Sequence, residues 1–186
     1  MATRAGLDRE TVVQTAAALA DEEGLERLTL AALAERLGVR TPTLYHYVAG
    51  LAGLRRELAL AGLYEQTALL GRVVMGKAGD DAVIALAQTL RAFIKEHPGL
   101  YAATVPASPP GDSEWMAAAR EVVQIALRAL AAYHLSDDDA IHTVRILRSV
   151  VHGFATLEAG AGFGLPLEVD ETFHRLLAMV LQSLAH

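Results

Sequence analysis

The chain has 186 residues, and 53% of them are hydrophobic, which is enough to bury the core of one large domain or two small ones. It contains no cysteine, which excludes disulfide scaffolds, thiolate nucleophiles and zinc sites built on cysteine. Its net charge of −6 excludes the bulk cationic surface of a histone-like protein.

The hydrophobic pattern predicts an all-α protein. Apolar residues recur three and four positions apart throughout the chain, and no segment alternates cleanly as a strand would. The first helix is expected to begin after Asp8, whose carboxylate can cap the free amides, and to end at Gly24. The buried face predicted for this helix is formed by Val13, Ala16, Ala17 and Ala20.

Two short helices are predicted next. The first is expected to begin after Thr29, which serves as its cap, and to run for about two turns until Gly38 stops it. The second is expected to begin with Thr41 as the cap directly before Pro42 and to continue to about Tyr47. Because helices of two turns are unstable alone, the first helix must cover them, which gives a three-helix unit over roughly the first 50 residues.

The rest of the chain is predicted to form longer helices separated by loops rich in glycine, proline and aspartate. They are expected at about residues 51–75, 80–96, 99–105, 113–134, 137–160 and 170–185. The longest segment without Asp, Glu, Lys or Arg, residues 97–111, contains four prolines, so it cannot span a bilayer as a regular helix. Acidic residues occur too near the N-terminus for a secretory signal, so we expect a cytoplasmic location and no membrane partner.

Residues 29–47 have the form of a helix-turn-helix motif, in which Gly38 permits the tight turn and Val39 fills it. The second helix begins where a recognition helix meets base edges, with the small polar and basic residues Arg40, Thr41, Thr43 and His46. Residues 1–56 carry seven basic and seven acidic side chains, whereas the remainder is acidic, which favours this end of the chain for binding a polyanion. From the pattern alone, a helical hairpin that only packs remains an alternative.

The segments 33–39 and 43–47 resemble the TetR family of bacterial transcriptional regulators, and the predicted order of helices matches that family over the whole chain. The resemblance implies a helix-turn-helix DNA-binding domain over residues 1–50 and a ligand-binding and dimerisation domain over residues 51–186. It places Thr29 on a backbone phosphate. The residues that it places on base edges or phosphates are Arg40, Thr41, Thr43, Tyr45 and His46.

One position departs from the family pattern. A lysine that contacts phosphate commonly follows the recognition helix in this family, and Leu51 occupies its place here. Arg55 is expected to substitute in part, and Arg4 to reach the minor groove as an N-terminal arm, although each can equally be a solvated surface arginine. Tyr47 is expected to belong to the core.

The segment 148–158 resembles the subgroup of these regulators whose C-terminal domain is named for a Trp-His-Gly signature, with Val151 in the place of the tryptophan. Apolar stripes in the helices at 137–160 and 170–185 predict either an intrachain core or an interface. In the resemblance, these helices pair with those of a second copy in a four-helix bundle. The predicted interface residues are Val151, Phe173, Leu177, Val180, Leu181 and Leu184.

The middle helices of the family enclose an effector, which here is an unidentified small molecule. Bulky and polarisable side chains lie in this part of the chain, and Arg148 with His152 could receive an anionic group. The alternatives are an ordinary apolar core and a solvated helix face. The predicted pocket residues are Phe93, His97, Tyr101, Trp115, Met116, Arg148, His152 and Phe154.

Two other functions remain open. Glu171 with His174, and Asp139 with His142, have the spacing used by carboxylate and histidine ligands, which leaves a metal-binding bundle as a rival. Leu51 and the neutral N-terminal unit leave a dimeric carrier of small apolar molecules with a vestigial DNA head. No catalytic motif occurs, so we expect no enzyme, cofactor or metal. The favoured function is a ligand-responsive dimeric repressor, with a double-stranded inverted-repeat operator, a small molecule and a second copy as partners.

Overall fold

The computed structural model describes residues 7–184, so Arg4 lies outside the described residues. The protein is 78% helix, and residues 7–184 contain no strand, which confirms the all-α prediction. The helices in chain order are α1 (Arg9–Glu23), α2 (Leu30–Leu37), α3 (Thr41–Leu44), α4 (Gly50–Val73), α5 (Gly79–Glu96), α6 (Pro98–Thr104), α7 (Ser113–Ala129), α8 (Asp137–Ala159) and α9 (Val169–Leu184). Within the described range, every helix is too short or too polar to span a bilayer.

Helix α1 begins as predicted, but its buried face lies one position away from the predicted one. Asp8 accepts a hydrogen bond from the Thr11 amide at 2.7 Å and caps the helix. The prediction that Val13 and Ala17 are buried is wrong, because both are half-buried. Leu19 faces inward, where it buries more apolar area than Ala17 would. The buried residues are Val12, Ala16, Leu19 and Ala20.

The two short helices form the predicted motif with two corrections, both in the second helix. Thr29 caps α2, and Gly38 ends it in the left-handed conformation (φ 67°), which suits a residue without a Cβ. Arg40, and not Thr41, is the N-cap of α3, and it makes no side-chain capping bond. Helix α3 also ends at Leu44, earlier than predicted, and the chain continues to Tyr47 in turns.

The chain divides into two compact units, and helix α4 contributes to both. The head unit runs to Leu63 and includes His97–Pro110. In it, α2 packs against α1 and α3, and α6 packs against α1. A Cβ atom built at Gly99 of α6 would lie 2.1 Å from the carbonyl group of Ala20, so the two backbones approach as closely as only glycine allows.

The effector unit comprises Tyr64–Glu96 and the chain from Gly111 onward. Helix α5 packs against α7 and α8, and α9 packs against α8. The helix predicted over 113–134 ends at Ala129 and is followed by a 3₁₀ turn at Ala131–Tyr133. Part of the core is a cluster of Val83, Leu130 and Leu147 with the half-buried Tyr133, Val144, Val180, Leu181 and Leu184 packed against it.

Candidate DNA-binding surface and effector unit

The start of α3 presents a cation and several polar groups to solvent. The Arg40 side chain is exposed and has no hydrogen-bond or ion-pair partner among residues 7–184. Tyr45 is 62% exposed, and His46 is also exposed. Thr41 and Thr43 are half-buried, so only part of each side chain is accessible. The residues that sequence analysis assigned to the recognition helix therefore lie on one short stretch with accessible side chains.

Core packing holds this stretch in place. Leu44 is fully buried, and Val48 is 5% exposed. The Tyr47 hydroxyl donates a hydrogen bond to the Leu7 carbonyl at 2.9 Å, which ties the end of the motif to the start of α1. Tyr47 is thus a structural residue, as predicted. Because the inward side of the stretch is anchored, the outward side chains have defined positions.

Thr29 is placed to cap α2 and still donate outward. Its Oγ1 accepts a hydrogen bond from the Ala32 amide at 3.1 Å. The hydroxyl hydrogen is left over for an acceptor such as a phosphate oxygen. The N-terminus of α2 also carries the positive end of the helix dipole, which favours an anion.

Most arginines of the head unit form ion pairs with carboxylates, which offset their positive charge. Carboxylates pair with the arginines at 9, 36, 55 and 56. The hydrogen bond from Arg36 lowers the pKa of Glu22, so this pair stays ionised. Among described residues of the head unit, the arginines without a carboxylate partner are Arg27 and Arg40. A head unit without net positive charge thus exposes unpaired cations around the motif.

Arg27 is a candidate that the sequence analysis missed. It is exposed and lies at the end of the 3₁₀ turn Leu25–Arg27, two residues before the cap of α2. A guanidinium at that point can contact the same phosphate that an N-terminus of α2 would favour. The signal available in the sequence was its place two residues before a capping threonine.

Arg55 does not face outward as the expected substitute for the family lysine. Its Nη2 lies 3.3 Å from the Leu25 carbonyl oxygen and 3.4 Å from a carboxylate oxygen of Glu26. Its Nε is buried and has no hydrogen-bond partner. The guanidinium therefore supports the 3₁₀ turn inside the head unit, and the prediction that Arg55 binds phosphate is corrected.

The predicted pocket residues are divided between the two units. His97 and Tyr101 belong to the head unit, where His97 Nδ1 lies 3.0 Å from Asp21. In the effector unit, Trp115 is buried, and its helix α7 is capped by Asp112. Phe93 and Phe154 are buried, His152 is half-buried, and Met116 and Arg148 are exposed.

Phe154 belongs to an aromatic cluster. Its ring centroid lies 4.9 Å from those of Phe163 and Phe173, and the Arg91 guanidinium lies 5.2 Å from it. These contacts account for the burial of the ring, and its role as a cavity wall stays a prediction. A separate cavity of about 320 Å³ lies at the corner between α7 and α8, away from the predicted pocket residues. Its lining consists of Leu127, Leu130, Ala131, His134, Leu135, Asp137, Ala140 and Ile141.

The predicted interface residues differ in how far they are buried within a single chain. Val151, Phe173 and Leu177 are at most 2% exposed within a single chain, so they are core residues and their assignment to an interface is corrected. Phe173 of α9, for example, packs 4.9 Å from the Phe154 ring of α8 and 4.6 Å from the Arg91 guanidinium of α5. Val180, Leu181 and Leu184 are half-buried.

A different apolar stripe faces outward on α8 and α9. On α8, Ile146 is 53% exposed and Leu157 is 54% exposed, and Val150 lies between them at helical spacing. On α9, Met179 is 69% exposed and Leu176 is half-buried. We call these five residues the α8/α9 stripe.

The paired carboxylate and histidine spacings have structural roles. Glu171 accepts a hydrogen bond from Arg175 Nε at 2.7 Å, and Asp139 accepts one from the Ser136 hydroxyl at 2.6 Å. Both carboxylates lie in the first turns of helices, where they complement the dipole. Across residues 7–184, no three potential metal ligands come together.

Comparison with known proteins matches this geometry to a family of regulators. The family model for bacterial regulatory proteins of the tetR family matches residues 12–58, and that for the tetracyclin repressor-like C-terminal domain matches residues 83–180. The chain is 35% identical over 185 residues to the uncharacterized HTH-type transcriptional regulator YobS of Bacillus subtilis, covering 99% of this chain and 96% of that protein. It is 36% identical over 159 residues to another such regulator, from Mycobacterium tuberculosis, covering 85% and 73% of the two chains.

Solved structures share the fold. A Rhodococcus protein of unknown function superimposes with a TM-score of 0.82 at 25% identity, covering 98% of each chain. A TetR variant of Acinetobacter baumannii in complex with minocycline gives a TM-score of 0.69 at 21% identity, covering 97% of this chain and 96% of that one. The relatives are transcriptional regulators and not enzymes, and regulators of this kind act on DNA operators as dimers. The chain is therefore a member of the TetR family of helix-turn-helix transcriptional regulators.

Proposed function

We propose that this regulator is a dimeric repressor that binds an inverted-repeat operator and leaves it when a small molecule binds the effector unit. The observation that carries the proposal is the exposed, unpaired Arg40 at the start of α3, in a head whose other described arginines, apart from Arg27, are paired with carboxylates. Arginine in the major groove forms bidentate hydrogen bonds with guanine. Such a repressor acts in the cytoplasm, where bacterial DNA lies.

The remaining contacts divide between bases and phosphates. Thr41 and Thr43 accompany Arg40 on base edges, because they occupy the first turn of α3 beside it. The outer contacts go to phosphates, because backbone contacts fix the orientation of a motif and carry no sequence information. The residues proposed for phosphates are Arg27, Thr29, Tyr45 and His46.

The dimer forms through the α8/α9 stripe. Exposed apolar side chains at helical spacing on two adjacent helices are the surface that a four-helix bundle covers. Two recognition helices related by a two-fold axis fit successive major grooves when they lie about 34–36 Å apart. The operator is then an inverted repeat.

The effector is a small molecule bound in the effector unit near the residues of that unit predicted from the sequence, among which Phe93 and Trp115 are buried aromatic groups. Two related structures were solved with small molecules, minocycline in one and (S)-DNPA in the other, which supports a ligand site in this fold. The resemblance to the Trp-His-Gly subgroup remains part of the proposal. A coupling of about 1–3 kcal/mol between the sites changes operator affinity by roughly 5–150-fold.

The test is a fluorescence-anisotropy titration against duplexes tiled across the intergenic DNA beside the gene, at two salt concentrations. Tight binding to one inverted repeat that falls steeply with salt supports the repressor. If no duplex is bound in preference to a scrambled one and the anisotropy does not change with salt, the result favours the apolar carrier with a vestigial DNA head.

Arg40→Ala is the decisive variant. It is expected to lower operator affinity by about 1–3 kcal/mol while random-duplex binding changes little, because a base contact is lost. Arg36→Ala removes the same formal charge from a residue already paired with Glu22, so it is the matched control. Equal losses on operator and random DNA would show that Arg40 meets only phosphate.

A further inference from the structure

The connection between α8 and α9, residues 160–168, exposes two leucines. Leu165 is 77% exposed and Leu167 is 73% exposed, the largest exposed fractions among the large hydrophobic side chains that the structure describes. Residues 159–167 carry no charged side chain. Exposing two whole leucines to water is unfavourable, and on a regulator such a patch marks a surface that another molecule covers.

Arg91 of α5 holds both ends of this connection. Its Nε and Nη2 donate to the two carboxylate oxygens of Glu158 at 2.7 Å, at the end of α8. Its Nη2 also lies 2.7 Å from Asp170 at the start of α9. The middle of the connection is held as well, because the Phe163 ring packs 4.9 Å from that of Phe154. The connection is therefore fastened to the effector unit on both sides of the leucines.

The two leucines occupy a tight turn. The Leu167 amide donates to the Leu165 carbonyl at 2.8 Å, which closes a three-residue turn around Pro166. The proline ring fixes φ near the value that such a turn needs. Because the turn is ordered before any partner arrives, covering the leucines costs little conformational entropy.

The connection that carries this turn packs against the α8/α9 stripe. A Cβ built at Gly162 would lie 2.9 Å from the Leu157 carbonyl oxygen and 3.3 Å from its Cδ2, so the connection folds directly against this exposed stripe residue. On α8, a Cβ at Gly153 would meet nothing within 4 Å, which leaves room for the close approach of a helix. The connection that carries the two leucines thus adjoins the stripe at Leu157.

We propose that residues 160–168 form a dimerisation arm, whose Leu165 and Leu167 pack against the α8 and α9 helices of a second copy of this chain. A second copy is the occupant because the surface is uncharged, adjoins the stripe and belongs to a family that acts as dimers. By two-fold symmetry each arm is buried once and each stripe receives one arm. The arm rests on the dimer of the proposed function and extends its interface beyond the helices.

The test uses sedimentation velocity of the full chain over a dilution series. The double variant Leu165→Ser with Leu167→Ser is expected to raise the dimer Kd about a hundredfold, roughly tenfold for each leucine. Its helix content, measured by circular dichroism, should match that of the unsubstituted protein, because both side chains are exposed in the single chain. Met75→Ser removes an apolar side chain that is 70% exposed outside the arm and stripe, so it is the matched control and should leave the Kd unchanged.

Met179→Glu in the α8/α9 stripe distinguishes a failure of the arm from a failure of the dimer itself. If it dissociates the dimer while the double leucine variant keeps a Kd within about threefold of the original, the dimer is real and the arm is refuted. If the unsubstituted protein sediments as a monomer at every concentration, the proposed dimer itself fails, and the arm fails with it.

Discussion

Asp21 of α1 joins the helix-turn-helix to α6, and its removal is the sharpest test of how the head unit is built. One carboxylate oxygen, Oδ1, accepts hydrogen bonds from the Gly99 and Leu100 amides, both at 2.8 Å. The other, Oδ2, lies 3.0 Å from His97 Nδ1. Gly99 and Leu100 are buried, so in Asp21→Ala their amides lose this acceptor in a site that water reaches poorly.

The expected loss follows from these contacts. A hydrogen bond to a charged group contributes about 1.5–3 kcal/mol, so two of them set a loss of about 3–6 kcal/mol. The Asp21 side chain is 16% exposed, and some water will reach the amides in the variant, which places the expectation near the lower end, at about 3 kcal/mol. For a chain of this length, that loss corresponds to a fall in Tm of about 6–12 °C.

The assay is urea unfolding followed by circular dichroism, together with hydrogen exchange at the Gly99 and Leu100 amides. Glu22→Ala is the matched control, because Glu22 is the next residue, is exposed and pairs only with Arg36 at the surface. Asp21→Asn keeps an oxygen acceptor and should recover part of the loss. If Asp21→Ala unfolded at the same urea concentration as Glu22→Ala, and exchange at the two amides did not speed up, the capping argument would be refuted.

Two further predictions concern the effector unit. Leu177→Glu places a carboxylate where the side chain is 2% exposed and should destabilise the fold by about 3 kcal/mol or more, whereas Met179→Glu, at a site 69% exposed, should only separate the dimer. Thermal melts and sedimentation distinguish them, and a Leu177→Glu protein that melts normally would contradict the packing of α9. Hydrogen bonding from Arg91 holds the pKa of Glu158 below its ordinary 4.5, so Glu158 stabilises the fold above that pH, and the contribution is lost as pH falls through the lowered value. The stability gap between the original and Glu158→Gln should therefore shrink on acidification, and a gap that stayed constant would be the contrary result.

The sequence by itself determined the helices and the motif. Capping by Asp8 and Thr29 is confirmed, because each cap involves an amide only three residues away. Gly38 was identifiable for the same reason, since a left-handed turn after a helix is a local requirement. The family followed from the residues around that turn.

Only the tertiary structure decided which side chains are exposed and unpaired, and so available to bind DNA or a second copy of the chain. Arg36 and Arg55 carry the same formal charge as Arg40, but their partners Glu22 and Glu26 lie 14 and 29 residues away, so the pairing cannot be inferred from local sequence. On α9 the apolar stripe is so broad that its periodicity does not separate Leu177, which packs inward, from the exposed residues beside it. Burial depends on which helix lies opposite, and that is a property of the packed chain.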